Sequence, residues 1–148
     1  MKGDCNLIRK LKKEDLARVM QIWLDVNIEA HSFISEKFWR DNFDEVKTML
    51  PQSELYIYEN ECTHVIEGFV GINNNYIAGL FVCPEVQSKG IGKQLLEYVM
   101  NIKNHLTLSV YQKNERAINF YIREKFEIQS KCIDDNTGET EYIMVWKQ

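Results

Sequence analysis

The sequence contains little proline, no long apolar run and no cysteine pair, and each absence narrows the class of protein. Two prolines and seven glycines among 148 residues exclude a collagen-like chain or a Pro-rich linker. The longest uncharged stretch, 68–84, is interrupted by Gly71 and by the asparagines at 73–75, whereas a membrane-spanning helix needs about 20 mostly apolar residues. The first 16 residues contain no apolar core of a signal peptide. We therefore expect a cytoplasmic protein that does not act at a membrane.

Metal-binding and nucleic-acid-binding patterns are also missing. Cys5, Cys62, Cys83 and Cys132 form no C-x-x-C motif, and none lies at a zinc-like spacing from a histidine. We expect free thiols, as is usual in a reducing cytosol, and no metal site. Lys and Arg number 18 against 22 Asp and Glu, a net charge of -4, which disfavours a nucleic-acid partner because such binding needs a clustered basic surface.

The length and apolar content predict one globular domain over residues 1–148. Hydrophobic residues make up 45% of the chain, enough to fill a single core at this length. The apolar spacing predicts, in order, a strand at 6–9, helices at 14–24 and 36–50, strands at 55–58, 65–72 and 76–83, a helix at 90–102, a strand at 106–111, a helix at 114–123 and a final hairpin of strands at 126–133 and 141–146. The continuous apolar run at 76–83 suggests a strand covered on both faces.

This order predicts an α/β (α+β) fold with a single mixed, mostly antiparallel sheet and helices on both faces. The strand at 76–83, the helix at 90–102 and the strand at 106–111 form a β-α-β crossover. The asparagines at 73–75 are typical of a tight hairpin turn, because Asn tolerates positive φ.

Two glycines stand at the start of the helix predicted at 90–102, just after the strand at 76–83. They belong to the segment 87–92, Gln-Ser-Lys-Gly-Ile-Gly. Glycine lets a backbone approach a ligand closely, and a helix N-terminus attracts anions, so the segment predicts a phosphate or pyrophosphate site. A P-loop is excluded because Gln94 replaces its Ser/Thr and Gln87 its first Gly. A dinucleotide fingerprint is excluded because Leu95 stands at its third Gly. The pattern Q/R-x-x-G-x-G/A is met in full.

That pattern resembles the pyrophosphate loop of the GCN5-related N-acetyltransferases, the GNAT family. The segment 114–121, Asn-Glu-Arg-Ala-Ile-Asn-Phe-Tyr, is similar to the family's N-x-x-A-x-x-F-Y segment, and Phe126 matches its trailing Phe. The element order also resembles the family fold over the whole chain. The segment 30–34, Ala-His-Ser-Phe-Ile, and the last hairpin look like the bacterial YjaB-type branch.

The resemblance implies a direct transfer of an acetyl group from acetyl-CoA to a primary amine. In the family, the strand before the loop pairs with the pantetheine arm, one of its free N–H groups binds the thioester oxygen, and the loop amides hold the pyrophosphate. The implied cofactor-binding residues here are Leu80, Phe81, Val82, Cys83, Gln87, Ser88, Lys89, Gly90, Ile91, Gly92, Lys93, Gln94, Asn114, Ala117, Phe120 and Tyr121. Lys125 stands where the family often has Gly, and a left-handed cap there costs Lys about 1 kcal/mol relative to Gly.

Tyr121 is the candidate general acid for the departing CoA thiolate. The family often places a Glu on the strand before the loop as the base, but 76–81 contains no carboxylate. The candidate bases are therefore Glu67, Glu29, His31 and Tyr76, or an ordered water chain. His31 is attractive because the unperturbed pKa of histidine, about 6.5, suits proton acceptance.

The acceptor stays open between a small amine and a peptide or protein amine. The first helices and the last hairpin supply aromatic and acidic residues, which suit a cationic amine. Three alternatives remain: a CoA-binding module without catalysis, an interaction domain without a ligand, and a nucleotide hydrolase, which the loop failures disfavour. Both a monomer and a homodimer are compatible with the sequence.

Overall fold

The computed structural model describes residues 6–148, and these residues build one seven-stranded sheet with the order β1-β2-β3-β4-β5-β7-β6. The strands are β1 (Asn6–Lys10), β2 (Glu54–Asn60), β3 (Val65–Asn73), β4 (Tyr76–Val82), β5 (His105–Tyr111), β6 (Glu127–Ile133) and β7 (Thr140–Lys147). β4 and β5 run parallel, and the other neighbours are antiparallel. The predicted single mixed, mostly antiparallel sheet is confirmed.

Five α-helices cover the sheet. They are α1 (Leu16–Ala30), α2 (Glu36–Asp41), α3 (Phe43–Met49), α4 (Ile91–Met100) and α5 (Glu115–Arg123). The helices divide the apolar core into two clusters. One packs α4 and α5 on the sheet around Leu95, Leu96 and Met144. The other packs α1 and α2 around Met20, Trp23 and Phe69. The helices therefore lie on both faces of the sheet, as predicted.

Local sequence explains where α5 begins and ends. Asn114 is its N-cap, and Oδ1 of Asn114 accepts a hydrogen bond from the backbone N–H of Ala117 at 3.3 Å, the interaction that makes Asn a favoured cap. The helix is followed by Lys125 with φ of 79°. This is the left-handed cap that the family resemblance implies for Lys125, which stands where the family often has Gly.

The predicted helix at 36–50 is wrong in one respect, because it breaks at Asn42 into α2 and α3. Nδ2 of Asn42 donates to the carbonyl of Phe38 at 2.7 Å. An Asn side chain that bonds to a nearby backbone carbonyl competes with continued helix. The first helix, in contrast, extends six residues past its predicted end, to Ala30.

The hairpin between β3 and β4 turns at Asn74, whose φ is 58°, which confirms the turn predicted from the asparagines at 73–75. The prediction that the following strand is covered on both faces is wrong. Phe81 packs against Phe69, with 5.0 Å between ring centroids, on one face, but Leu80 and Val82 face a cavity on the other. An apolar run without alternation cannot distinguish a covered face from one that lines a ligand cavity.

Candidate functional site

A cavity of about 740 Å³ lies where the ends of α1 and β4 meet the first turns of α4 and α5. This volume is within the range of small-molecule sites. The cavity contains most of the residues predicted to bind a cofactor: Leu80, Val82, Gln87, Ser88, Gly90, Ile91, Gly92, Lys93, Asn114, Ala117, Phe120 and Tyr121. Predicted residues that are up to 41 positions apart in the sequence therefore line one cavity.

The cavity exists because β4 and β5 diverge. Within residues 6–148, their pairing is confined to Tyr76 with Thr107 and Ile77 with Leu108. The register of β4 against β3 shifts at the same level, between the pairs Gly71–Gly79 and Ile72–Ile77. A β-bulge of this kind bends a strand, while the pairing of β4 with β3 continues on both sides of it. The backbone of 79–82 therefore has β3 on one side and an opening toward β5 on the other.

The loop before α4 holds two residues in the left-handed region, Ser88 with φ of 70° and Gly90 with φ of 84°. This conformation turns the chain into the N-terminus of α4, where unpaired N–H groups and the helix dipole attract anions. A Cβ on Gly92 would lie 3.6 Å from the Phe120 ring and 3.7 Å from Val82, so any larger side chain would project into the cavity. Gly90 therefore allows the turn into α4, and Gly92 keeps space open in the cavity.

A side chain of α5 and a backbone carbonyl of β4 hold this loop. The guanidinium of Arg116 donates to Oε1 of Gln87 at 2.9 Å and to the hydroxyl of Ser88 at 3.2 Å. Nε2 of Gln87 donates in turn to the carbonyl of Val82 at 2.9 Å. Because the oxygen and the nitrogen of the Gln87 amide each form a hydrogen bond, the loop is held to both β4 and α5, which line the cavity.

The lysines of the loop differ in their environment. Nζ of Lys93 lies 3.2 Å from Glu124 and 3.4 Å from Glu97. The hydrogen bond to Glu124 contributes most to raising the pKa of Lys93. Lys89 is exposed and does not line the cavity. The positive charge predicted for the loop is therefore partly compensated at Lys93.

Tyr121 lies on the floor of the cavity and is 8% exposed. Its ring packs edge-on against Phe120 and Phe126, at centroid distances of 5.2 and 5.5 Å. Burial raises the pKa of Tyr121 well above its usual value, and the charge of Tyr76 adds to this effect. The hydroxyl thus stays protonated across the neutral range, as a proton donor must.

His31 is the C-cap of α1, outside the cavity lining, and contacts Asn114, which lines the cavity from α5. Its Nε2 lies 3.2 Å from Nδ2 of Asn114, and its ring stacks on Trp39 at a centroid distance of 5.4 Å. Burial lowers the pKa of His31 to about 4, and the Asn27 carbonyl offsets only part of this fall. Trp39, one of the aromatic residues of the first helices that we expected near the acceptor, is a core residue with 7% exposure.

The other candidate bases differ in location. Glu29 lines the cavity from the last turn of α1. Glu67 does not line it, and its backbone carbonyl accepts a hydrogen bond from the N–H of Cys83 at 2.9 Å. Tyr76 is 41% exposed at the start of β4 and likewise does not line the cavity. The geometry thus brings one of these carboxylates, Glu29, to the cavity.

Four residues predicted to bind the cofactor have side chains outside the cavity lining: Phe81, Cys83, Lys89 and Gln94. Phe81 and Cys83 belong to the core under α1. The Cys83 sulfur accepts a hydrogen bond from Arg18 at 2.9 Å, and burial raises the pKa of the Cys83 thiol. On this strand, the side chains that alternate with Leu80 and Val82 therefore face the opposite core.

Sequence reasoning missed several residues that line the cavity: Val26, Ala30, Lys113, Glu115, Arg116, Arg123 and Glu124. Arg116 and Glu124 lie four positions before and after Phe120, so the helical spacing along α5 could have found them. Val26 and Ala30 share a face of α1 at a spacing of four, but the sequence has no signal that this face meets α5.

Cysteine pairing differs from expectation in one place. Cys83 and Cys132 are free, as predicted, but Cys62 is disulfide-bonded, so the prediction of a free thiol is wrong there. Cys5 lies outside the described residues. Among residues 6–148, no group of three or more His, Cys, Asp or Glu side chains could hold a metal ion, and no helix is long and apolar enough to cross a bilayer.

Comparison with known proteins gives consistent results. Residues 51–128 match the family described as "Acetyltransferase (GNAT) domain". The chain is 34% identical over 142 residues to the peptidyl-lysine N-acetyltransferase YiaC of Escherichia coli, covering 95% of this chain and 96% of YiaC.

Solved structures share the fold. The solution structure of apo YjaB from Escherichia coli superimposes with a TM-score of 0.85 at 25% identity, covering 95% of this chain and 97% of YjaB. The PaiA N-acetyltransferase of Thermoplasma acidophilum, solved with coenzyme A, gives a TM-score of 0.74 at 23% identity, with 97% and 99% of the two chains covered. The fold, the glycine loop and the family match agree, and the chain belongs to the GNAT family of N-acetyltransferases.

Proposed function

We propose that this protein transfers an acetyl group from acetyl-CoA to the side-chain amine of a lysine in a peptide or protein. The observation that carries the proposal is the single cavity that joins the β4–β5 opening, the N-terminus of α4 and the Tyr121 ring. The relative YiaC is a peptidyl-lysine N-acetyltransferase, which favours lysine over a small amine. We also propose that 1–148 form one domain, since one sheet runs through the described residues.

The cavity fits the parts of acetyl-CoA. The open edge of β4 offers backbone groups at 79–82 to an extended pantetheine arm, as in strand addition. The N-terminus of α4 offers N–H groups to the pyrophosphate, and Gly92 leaves the space it needs. Lys113, Arg116 and Arg123 add positive charge along the α5 wall. PaiA, which shares the fold, was solved with coenzyme A.

The reaction we propose is a direct displacement. The neutral amine attacks the thioester carbon and forms the C–N bond, while the carbonyl oxygen gains charge that a β4 backbone N–H stabilises. The C–S bond then breaks, and the Tyr121 hydroxyl gives its proton to the departing sulfur. The Tyr121 hydroxyl is protonated across the neutral range and can therefore act as the proton donor.

We propose Glu29 as the group that accepts the proton of the amine, directly or through water. Glu29 lines the cavity from α1, whereas Glu67 and Tyr76 lie outside it. His31 is less suited because its Nε2 already faces the amide nitrogen of Asn114. We expect Glu29→Gln to lower kcat at least tenfold while acetyl-CoA binding stays unchanged. The matched control is Glu67→Gln, whose kcat should equal that of the wild type. An unchanged kcat in Glu29→Gln would exclude Glu29 as the proton acceptor.

The first experiment measures thermal unfolding with and without acetyl-CoA, with ATP and NAD as controls. Ligand at 100 times Kd adds about 2.7 kcal/mol to the free energy of unfolding, and we expect that shift with acetyl-CoA alone. Thiol release with a lysine-containing peptide then tests transfer. Binding without thiol release for any amine would favour a CoA-binding module, an alternative that the missing strand carboxylate supports. No shift with any ligand would overturn the proposal.

A further inference from the structure

The Asn114 side chain links the end of α1 to the start of α5. Its Oδ1 accepts from the backbone N–H of Ala117, which leaves Nδ2 toward Nε2 of His31 at 3.2 Å. An amide nitrogen only donates, so Nε2 of His31 is the acceptor in this contact. A ring nitrogen that accepts carries no proton, and the neutral imidazole therefore has its proton on Nδ1.

The surroundings of His31 favour this neutral form. The ring lies among Phe33, Trp39 and Tyr111, with centroid distances of 5.6, 5.4 and 5.1 Å, and Nδ1 is buried without a hydrogen-bond partner of good geometry. Taking a charge into such an apolar environment is costly. Burial accordingly lowers the pKa of His31 to about 4.

Few charged groups lie near the three aromatic side chains around His31, which are Phe33, Trp39 and Tyr111. On β5, the Tyr111 hydroxyl donates to Asp134 at 2.7 Å, which occupies that carboxylate. Beyond β5, Nζ of Lys113 lies 5.5 Å from the centre of the Phe33 ring, and a cation there also disfavours imidazolium. On α1, Glu29 lies two residues before His31 and lines the cavity.

We propose that His31 is a positioning residue that, as a neutral hydrogen-bond acceptor, orients the Asn114 amide and so fixes the first turn of α5 against the end of α1. The two segments supply opposite walls of the cavity, Glu29 and Ala30 on one side and Asn114 and Ala117 on the other. In this role His31 takes no proton from the amine, because its only basic lone pair is already used. The proposal rests on the acetyl transfer proposed above.

Two substitutions separate this role from that of a base. Glutamine places its amide oxygen near the position of Nε2, whereas the shorter asparagine reaches only the position of Nδ1, and neither can act as a base. We expect His31→Gln to keep kcat within threefold of the wild type and His31→Asn to lose at least tenfold. The assay is thiol release from acetyl-CoA with a lysine-containing peptide, from pH 6 to 9.

Each outcome decides the proposal. Equal and large losses of kcat in both variants, together with loss of the fall in kcat that the wild type shows at low pH, would overturn the proposal and make His31 a base. An unchanged His31→Asn would overturn it as well. Equal losses that follow equal falls in melting temperature would reduce His31 to a packing role. Retention of activity in His31→Gln alone, with a pH profile parallel to that of the wild type, supports positioning.

A second measurement does not depend on turnover. Nitrogen-15 NMR of the labelled full chain at pH 7 distinguishes the two neutral tautomers of histidine. We expect His31 with its proton on Nδ1, unchanged down to pH 5. A proton on Nε2, or a charged ring at pH 6, would overturn the proposal. If the wild type releases no thiol, the proposed acetyl transfer is contradicted instead. The spectrum would still show whether Nε2 of His31 accepts the hydrogen bond from Asn114.

Discussion

Nζ of Lys93, on α4, lies 3.2 Å from both carboxylate oxygens of Glu124, on the last turn around α5, and both side chains line the same cavity. Lys93 lies in the first turn of α4, the helix end to which we assign the cofactor pyrophosphate. An anionic ligand must therefore compete with Glu124 for the lysine.

We expect Glu124→Gln to tighten acetyl-CoA binding, because the substitution frees Lys93 and removes a negative charge from the cavity. An ion pair of an exposed lysine contributes little because solvent screens it, so we expect Kd to fall by no more than about fivefold. Titration calorimetry at low salt measures it. Glu97→Gln is the control, since Glu97 contacts Lys93 from outside the cavity. Weaker binding by Glu124→Gln would contradict the competition.

Gly92→Glu tests the pyrophosphate loop. The new side chain starts 3.6 Å from Phe120 and 3.7 Å from Val82 and brings a negative charge to the N-terminus of α4. We expect no thermal stabilisation by acetyl-CoA in a protein that still folds. Gly138→Glu adds the same charge in the last hairpin; its φ of 75° lowers the melting temperature of the free protein, but the shift with acetyl-CoA is expected to remain full. Binding by Gly92→Glu would show that the loop does not hold the ligand.

Tyr121→Phe tests the proton donor. Phenylalanine keeps the edge contacts to Phe120 and Phe126 but has no proton to give. We expect kcat to fall at least tenfold while acetyl-CoA affinity stays the same. Steady-state thiol release measures kcat, and Tyr98→Phe, on the far side of α4 against Tyr56, is the control. An unchanged kcat would remove the general acid from the mechanism.

Lys125→Gly is expected to stabilise the protein without changing its activity. Lys125 adopts a φ of 79°, which costs a residue with a Cβ roughly 1–2 kcal/mol, part of which the added chain entropy of glycine offsets. Urea unfolding should show a gain of about 1 kcal/mol. Lys131→Gly, in the exposed strand β6, should instead destabilise. A loss of stability in Lys125→Gly would mean that the Lys side chain contributes more than the strain costs.

The stability of the protein should depend on pH through His31. Its pKa is about 4 in the folded state against 6.5 in the reference state, so the unfolded chain binds the extra proton between these values. The free energy of unfolding therefore rises with pH across this window. The contribution is complete above about pH 6.5 and is lost as the pH falls toward 4.

Urea unfolding of the wild type and of His31→Gln at pH 5 and pH 7 measures this contribution. We expect the difference between the two pH values to shrink in His31→Gln. The exposed His105 provides the control, and His105→Gln should retain the wild-type difference. Identical pH dependence in all three proteins would show that His31 is not buried in its neutral form.

The sequence by itself determined the elements and the family. The Asn114 cap, the glycine loop at 87–92 and the turn at 73–75 each depend on residues that are close together in the sequence, so a local pattern suffices to find them. The left-handed cap at Lys125 followed from the family resemblance, because the family often has Gly at this position. Local patterns failed at Asn42, where a side chain competes with the helix, and on β4, where the apolar run conceals which face is open.

Tertiary structure alone decided which side chains meet in the cavity. Lys93 and Glu124 are 31 residues apart and His31 and Asn114 are 83 apart, and no periodicity in the chain encodes either contact. Both depend on how the sheet opens between β4 and β5 and on how α1 and α5 lie across that opening. Burial then sets the protonation of Tyr121 and His31, because desolvation acts on a side chain only after the whole fold has closed around it.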